Sequence, residues 1–477
     1  MNILFVNPPR FNEIVADNPT FIDEERGYNP PLGLLYIASY LEKNTSHDIK
    51  VLDAQVEELN YDDDFKNRIK ELAPDIVSIT IMTFTLIDVI KTIKLIKEAE
   101  KELGKKIIIT LGGPHATIFP KETARLPYVD YVITGEGEIP FLKLIKSLEG
   151  KEKLENIKGL VYKKDGELIN NGQQDFISDL DSLPPPARHL TPIKKYNSIL
   201  GGSHVVTTMF TSRGCPFKCA FCDRPHMGHR FRARSAKSVV NEMAECKKMG
   251  IDEILIYDDT FTVQKQRVLD ICEEILKRNL KIIWDVRSRV DTVDEEMLAR
   301  MSQAGCKRIH FGVEAGSEKI LKNLKKGITI DQAKQAFALA KKYKIETLAY
   351  FMIGSPEEKK EDIEKSISLS KELKADFVHA TILTPYPGTE LYSLALAKGI
   401  IKTDYWLDFA QNPEKNITTQ YWEENFTKEE LFKFLENFYK SFYGRPSYIA
   451  KSLLRVKSIS DLKKKARAGL KVLGIKK

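Results

Sequence analysis

Short apolar runs alternate with amphipathic stretches along the first 150 residues of the chain. The runs are rich in Ile and Val and predict strands at residues 3–6, 49–52, 76–81, 107–111 and 131–134, with a further run at 159–162. The stretches between them have helical spacing and predict helices at residues 32–42, 61–72, 85–103, 121–125 and 140–149. Buried strands that alternate with helices predict a parallel, doubly wound α/β sheet over residues 1–150.

A second alternating series starts at residue 205. Apolar runs predict strands at residues 205–211, 253–257, 281–286, 308–313, 346–353 and 377–382. Helical patterns follow them at residues 236–249, 263–278, 294–304, 317–324, 329–343 and 358–373. Six β/α units in order predict a partial (β/α)6 barrel over residues 205–400, with its chemistry on the loops that follow the strands.

Two further regions differ in character from these domains. Residues 151–204 are predicted to be a linker, with a hairpin turn at 163–167 and a stiff Leu-Pro-Pro-Pro-Ala-Arg run at 183–188. Residues 401–477 are predicted to form a small helical region that ends in a basic tail. From Arg445 to Lys477 there are eleven Lys or Arg and one acid, Asp461. Such a tail can lie on an anionic membrane surface, cover the open side of the barrel, or be solvated.

Composition and charge limit the function classes. The whole chain has a net charge of +7, so without the basic tail its body is slightly acidic, which argues against nucleic acid as a partner. There is no apolar run of 18 residues, and the first residues lack the basic start and cleavage site of a signal peptide. We therefore expect a cytoplasmic protein, with membrane association through the tail left open.

Three of the six cysteines lie in one short stretch, with the spacing C-x3-C-x2-C at Cys215, Cys219 and Cys222. Three thiolates on a tight loop can hold three corners of a four-iron cluster and leave the fourth iron open. The alternative is a zinc knuckle, but a structural zinc site needs four ligands, and only His226 and His229 are near. The other three cysteines are scattered along the chain and read as buried apolar residues.

Residues at or just after the ends of the predicted strands, most of them small or polar, lie in both domains where ligands of α/β sheets bind. In the first domain they are Pro8, Ser78, Thr80, Gly112, Gly113, His115, Gly135, Glu136 and Gly137. In the second domain they are Asp258, Asp259, Arg287, Glu314, Ser317, Ile353, Gly354, Tyr386 and Thr389.

The cysteine stretch resembles the signature loop of the radical S-adenosylmethionine enzymes, in which an aromatic residue, here Phe221, precedes the third cysteine. The resemblance implies a [4Fe-4S] cluster whose open iron binds S-adenosylmethionine and splits it reductively to a 5′-deoxyadenosyl radical. It further implies an electron donor of the flavodoxin or ferredoxin type.

The same resemblance assigns contacts with S-adenosylmethionine. Asp258 and Asp259 would bind the methionine amino group, although one of them serves equally well as a helix cap. Arg287 would pair with the methionine carboxylate. The ribose or the sulfonium would meet Glu314 and Ser317, and the adenine would lie against Ile353 and Gly354. Ser317 is also a possible helix cap. Tyr386 and Thr389 would face the substrate, with core packing and turn formation as the alternative.

The first domain resembles a Rossmann-like cobalamin-binding domain. In that family a Ser-x-Thr segment and a Gly-Gly segment line the slot for the nucleotide tail of cobalamin, and Ser78, Thr80, Gly112 and Gly113 match them. The remaining strand-end residues of this domain are assigned to the same cofactor. The Asp-x-His-x-x-Gly motif, whose His ligates cobalt, is absent. His115 is the nearest replacement, and a structural hydrogen-bonding role is its alternative.

Together the two resemblances imply a cobalamin-dependent radical enzyme that methylates an unactivated carbon of a small-molecule or lipid substrate. A radical cyclase or a carbon–carbon coupling enzyme is the close alternative. A non-catalytic cobalamin or cluster sensor is the alternative from another class. A methylthiotransferase is disfavoured, since it needs cysteines in its first domain and none precedes Cys215.

Overall fold

The computed structural model describes residues 1–14, 27–61, 63–198, 204–223, 227–414 and 417–454. The first domain contains a seven-stranded sheet of order β3-β1-β4-β5-β6-β7-β8. Its strands are β1 (Asn2–Asn7), β3 (Asp48–Asp53), β4 (Ile76–Thr80), β5 (Ile108–Gly112), β6 (Tyr131–Ile133), β7 (Leu160–Lys164) and β8 (Glu167–Asn170). The short strands β2 (Gly27–Tyr28) and β9 (Asn197–Ser198) pair antiparallel outside this sheet. The first five of these strands are parallel, and β7 and β8 pair antiparallel at the edge.

Helices cover both faces of this sheet, because successive residues of a strand point to opposite faces. Ile3 and Phe5 of β1 face one core, whereas Leu4 and Val6 face the other. The helices described in this domain are Leu32–Asn44, Asp63–Leu72, Leu86–Leu103, Pro114–Ile118, Pro120–Arg125 and Glu138–Leu148. This doubly wound arrangement confirms the predicted fold class.

The sheet continues beyond residue 150, where the linker was predicted to begin. The hairpin β7–β8 lies inside the predicted linker and extends the sheet to Asn170. Its turn is the predicted one, with Asp165 and Gly166 both at positive φ, the geometry of a tight two-residue hairpin. The apolar residues of β7 complete the core under the sheet, since Leu160, Val161 and Tyr162 are all buried.

The second domain contains six parallel strands in sequential order β10-β13-β14-β15-β16-β17. They are β10 (Val206–Met209), β13 (Glu253–Ile256), β14 (Ile283–Ser288), β15 (Cys306–Glu314), β16 (Glu346–Ile353) and β17 (Phe377–Ile382). The helices between them are Ala236–Lys248, Lys265–Lys277, Glu295–Gln303, Glu318–Asn323, Ile330–Lys342 and Lys360–Glu372. Each loop that follows a strand lies at the same edge of this partial barrel.

Four helices follow the barrel within the described residues: Glu390–Ala397, Tyr405–Gln411, Lys428–Tyr443 and Pro446–Leu454. The third of them closes the open edge of β17, because the hydroxyls of Tyr439 and Tyr443 bond the backbone N–H and C=O of Ala380 and Val378. Most of the predicted basic tail, residues 455–477, lies outside the described residues. Among the described residues, no helix is long and apolar enough to cross a membrane.

Candidate active site

The cysteine loop directly follows β10, the first strand of the barrel. A short antiparallel ladder closes its base, formed by β11 (Ser212–Arg213) and β12 (Arg232–Ala233). Gly214 has a φ of 82°, and a Cβ atom there would lie 2.4 Å from the carbonyl oxygen of Arg230. The loop can therefore turn sharply here only with glycine.

Asp258 holds the start of this loop. Its carboxylate is buried and accepts hydrogen bonds from the backbone N–H groups and the hydroxyls of Thr211 and Ser212. Four donors satisfy the acceptor sites of one carboxylate. This geometry supports a positioning role for Asp258 more than the predicted contact with the methionine amino group.

The three thiols lie in different surroundings. Cys219 is buried, Cys215 is half-buried and Cys222 is exposed. Burial raises the pKa of Cys215. Cys222 keeps an exposed surface, but the protein packed against its other sides removes water from the thiol and, together with the carboxylate of Asp259, raises its pKa to about 12. Thiols with such pKa values stay protonated at neutral pH unless a bound metal displaces the proton.

A single zinc ion and an iron–sulfur cluster place different demands on these thiols. Within the described residues, no three Cys, His, Asp or Glu side chains converge on a single metal-sized point. A zinc ion needs such convergence, whereas each thiolate of a four-iron cluster binds a different iron. His229 is exposed, and His226 lies outside the described residues.

Asp259 and Arg287 lie near the thiols at the same edge of the barrel. Asp259 reaches solvent, yet partial burial and the carboxylate of Asp258 raise its pKa, against the attraction of the Arg287 guanidinium. Arg287 stacks on the ring of Tyr257, with 3.5 Å between the guanidinium carbon and the ring centroid. A fixed cation and an acid side by side can bind the carboxylate and ammonium of an amino acid, as predicted for methionine.

Glu314 belongs to a buried ion pair. Its Oε1 lies 2.6 Å from Nζ of Lys326, and Nζ lies 5.8 Å from the ring centroid of Phe221. Gly312 makes room for the pair, because a Cβ there would lie 2.5 Å from the Glu314 carboxylate. The pair thus connects the end of β15 to the cysteine loop.

Ser317 and Gly354 lie after β15 and β16. The Ser317 side chain bonds the carboxylate of Asp362 and makes no capping hydrogen bond, so its capping alternative is not formed. Gly354 has a φ of 78° and donates its N–H to Oε2 of Glu358 at 2.6 Å. Ile353 is fully buried. The contacts of these residues with the ribose and the adenine stay predictions.

The residues assigned to cobalamin lie at the carboxyl edge of the first sheet, at the ends of β1, β4, β5 and β6. Gly113 has a φ of 126°, and a Cβ there would lie 2.8 Å from the carbonyl oxygen of Ile81. Ser78 is buried and Thr80 and Gly112 are half-buried. Pro8 is buried and its carbonyl accepts from Gln55.

Three further residues of this group have partners inside the protein. His115 is fully buried, its Nδ1 lies 3.0 Å from the hydroxyl of Thr83, and burial lowers its pKa to about 4. Because His115 has no exposed surface, it fits the structural hydrogen-bonding role that was its alternative. Gly135 donates its N–H to Thr117. Gly137 packs so closely that a Cβ would lie 2.7 Å from Cδ1 of Ile37.

Glu136 joins the first domain to the cysteine loop. Its carboxylate lies 2.9 Å from a guanidinium nitrogen of Arg213 and 2.9 Å from one of Arg232, and Glu138 lies 2.6 Å from Arg213. We name these four buried side chains the interdomain clamp. Burial opposes the charge of Arg213, but the carboxylates of Glu138 and Glu136 outweigh it and keep its pKa above the usual range. Glu136 is engaged with these arginines, which does not support its predicted cobalamin contact.

An aromatic wall lies where the two domains and the last region meet. The ring centroid of Phe84, after β4, lies 5.4 Å from that of Tyr386, after β17, and 6.0 Å from that of Trp406. Trp406 is fully buried, whereas Phe84 and Tyr386 are half-buried. The hydroxyl of Thr389 donates to the Tyr386 carbonyl and accepts from the N–H of Tyr392, so Thr389 shapes the turn. This supports the turn-forming alternative for Thr389.

Comparison with known proteins identifies the family. Residues 209–370 match the Radical SAM superfamily, and residues 21–145 match the B12 binding domain. The chain is 36% identical over 457 residues to an uncharacterized methyltransferase of Pyrococcus horikoshii, with 95% of each chain covered. It is 29% identical over 400 residues to the anaerobic magnesium-protoporphyrin IX monomethyl ester cyclase of Rubrivivax gelatinosus, with 82% of this chain and 69% of the cyclase covered.

The fold is that of solved relatives. The cobalamin-dependent S-adenosylmethionine radical enzyme OxsB, solved with aqua-cobalamin bound, superposes with a TM-score of 0.76 at 20% identity, covering 99% of this chain and 72% of OxsB. The two family matches and the 36% identity to the Pyrococcus horikoshii protein show that the chain belongs to the radical SAM superfamily, in the class that carries a B12-binding domain ahead of the radical SAM domain. The predicted enzyme class and its cofactors, a [4Fe-4S] cluster, S-adenosylmethionine and cobalamin, are confirmed.

Sequence reasoning missed several residues of this site. For Arg232 and Arg234, which follow the cysteine loop, it favoured a solvated charged loop over contact with the reduced cluster or an anionic substrate, yet both are buried and ion-paired. Arg289 and Lys326 contact Cys219 and Glu314 respectively. In the sequence only the position of Arg289 pointed to the site, since it comes two residues after Arg287 at the end of a barrel strand.

Proposed function

We propose that this protein methylates a carbon atom of a small molecule that offers an apolar surface. The observation that carries the proposal is the meeting of three elements at one place. The cysteine loop, the carboxyl edge of the first sheet and the aromatic wall are held together by the interdomain clamp and by rings from both domains. When bound, the cluster and cobalamin would supply reductive cleavage of S-adenosylmethionine and a transferable methyl group.

The chain's own residues would bind and orient the cofactors and the substrate. Cys215, Cys219 and Cys222 would hold the cluster, and Asp259 with Arg287 would fix the methionine end of the nucleotide. The strand ends with Ser78 and Gly113 would receive the nucleotide tail of cobalamin. Phe84 and Tyr386 offer half-buried ring faces that would exclude water and contact an apolar substrate.

Two partners follow from the same reasoning. An electron donor of the flavodoxin or ferredoxin class would approach on the side of Cys222, which is exposed. The apolar substrate would in one case be a lipid. The protein would then be cytoplasmic and contact the membrane through its basic tail. Binding of the full chain to anionic and to neutral vesicles tests the membrane contact, and equal binding to both would contradict it.

The experiment is anaerobic reconstitution of the full chain with iron, sulfide and cobalamin, followed by reaction with methyl-labelled S-adenosylmethionine in a cell extract. We expect retained corrinoid, 5′-deoxyadenosine and label in an extract compound. The Cys219→Ala variant should lose all label transfer, and Cys272→Ala, a buried cysteine of a barrel helix, should keep it. Absence of 5′-deoxyadenosine with every extract and reductant would contradict an enzymatic role and favour a sensor.

The second candidate is a radical cyclase, favoured by the 29% identity to the porphyrin ester cyclase. The labelled-methyl experiment separates the two. A cyclase would form 5′-deoxyadenosine and a product that has lost hydrogen but carries no label.

A further inference from the structure

Arg289 lies directly behind the cysteine loop. It follows the end of β14 and is buried, with 4% of its surface exposed. Its Nη1 donates to Sγ of Cys219 at 3.5 Å, a normal distance for a bond to sulfur. Cys219 is itself the buried one of the three loop cysteines. A charged donor therefore points at the most enclosed of the predicted cluster ligands.

The rest of the guanidinium is fixed by other groups. Nε and Nη2 form a forked pair with the carboxylate of Asp291 at 2.9 and 2.8 Å, and Nη2 also donates to the carbonyl of Lys326 at 2.7 Å. The guanidinium carbon lies 3.8 Å from the ring centroid of Phe217, which is in the cysteine loop. These contacts orient Arg289 without any help from the thiol, so the N–H at Nη1 is held toward Cys219 in advance.

Such a donor affects the two redox states of a cluster unequally. Reduction adds one electron from an external low-potential reductant, and no bond forms or breaks. The added negative charge spreads over the cluster and its sulfurs, where N–H donors and a nearby positive charge stabilise it. The carboxylate of Asp291 binds the opposite side of the guanidinium, so the positive end faces the sulfur.

We propose that Arg289 is a positioning residue for the cluster, which orients Cys219 and raises the reduction potential through its hydrogen bond to that sulfur. The inference rests on the proposed function only in requiring the cluster. It assigns to Arg289 the control of how readily an electron enters the site.

The test is a mediated redox titration of the reconstituted full chain, followed by the electron paramagnetic resonance signal of the reduced cluster. Arg289→Gln should keep its iron and sulfide but show about a tenfold lower ratio of reduced to oxidised cluster at a given potential, which is ~59 mV for one electron. Arg289→Lys keeps the charge without the fork and should shift the ratio less, in the same direction. Arg278→Gln, on an exposed pair with Glu274, should match the wild type.

Each outcome decides a separate statement. A wild-type chain that holds no iron and sulfide would overturn the proposed function and this inference together. Variants with full iron content and a wild-type ratio would overturn the inference alone. If Arg289→Gln loses its cluster, Arg289→Lys decides, and an unshifted ratio there overturns the inference. Loss of S-adenosylmethionine cleavage without a shift would assign Arg289 to substrate binding instead.

Discussion

Replacement of Glu136 by Gln should loosen the contact between the first domain and the cysteine loop. Glu136 accepts from Arg213, from Arg232 and from the N–H of Ile177, and all three side chains of the ion pairs are at most 7% exposed. In the variant Arg213 keeps Glu138, but Arg232 keeps only uncharged acceptors, namely the carbonyls of Ile177 and Met227 and the amide oxygen of the introduced glutamine. A buried guanidinium is then left without a carboxylate.

The expected cost follows from that geometry. Removal of one partner of a buried ion pair costs about 3–5 kcal/mol, because the remaining charge stays desolvated. Each 1.4 kcal/mol is a factor of about ten in an equilibrium constant. Opening of the loop should therefore increase by about a hundredfold or more. The added substitution Arg232→Met should recover part of the loss, since it removes the orphaned charge.

Hydrogen exchange followed by mass spectrometry measures this opening on the strands Ser212–Arg213 and Arg232–Ala233. The matched control is Glu71→Gln, which removes an exposed carboxylate paired with Arg68 on the surface and should leave exchange unchanged. Equal protection of these strands in Glu136→Gln, Glu71→Gln and the wild type would refute the interdomain clamp.

Three further predictions concern separate parts of the molecule. Gly113→Ala should lose corrinoid absorbance and keep its iron, because the added Cβ meets the carbonyl of Ile81. Gly104 is also at positive φ but lies in open space, so Gly104→Ala should keep both corrinoid and iron. Burial raises the pKa of Glu358 from its usual 4.5 to about 7. Its contribution to the free energy of unfolding is therefore full below pH 4.5 and is lost as the pH rises through 7, a decrease of ~3 kcal/mol. Urea denaturation should show this decrease in unfolding free energy between pH 5 and pH 8 in the wild type and a smaller decrease in Glu358→Gln. Equal decreases in the two proteins would contradict a raised pKa of Glu358. Tyr386→Ala should raise KM about three- to tenfold through loss of ring contacts, whereas Tyr386→Phe should leave KM unchanged. An unchanged KM in both variants would contradict contact between the substrate and this residue of the aromatic wall.

The sequence by itself determined the order of strands and helices and the nature of the metal loop. Both are local properties, because periodicity shows which faces of an element are buried and the cysteine spacing sets the reach of three thiols along a short loop. The hairpin turn at Asp165 and Gly166 was predictable for the same reason. The antiparallel pairing of its first strand with β6 was not predictable, since strand pairing depends on residues far along the chain.

Only the tertiary structure decided what the polar side chains near the site do. Asp258 and Glu136 lie at predicted ligand-binding edges, yet one binds the start of the cysteine loop and the other binds Arg213 and Arg232. Arg287 lies at the end of β14 and Arg289 just after it, but only folding places Arg289 against Cys219. The physical reason is that a buried charge must find its partner in space, and the loop partners of Asp258 and Glu136 lie 46 to 96 residues away in sequence. Spacing in the sequence thus identified the ligand loop, and long-range charge pairing decided what holds it in place.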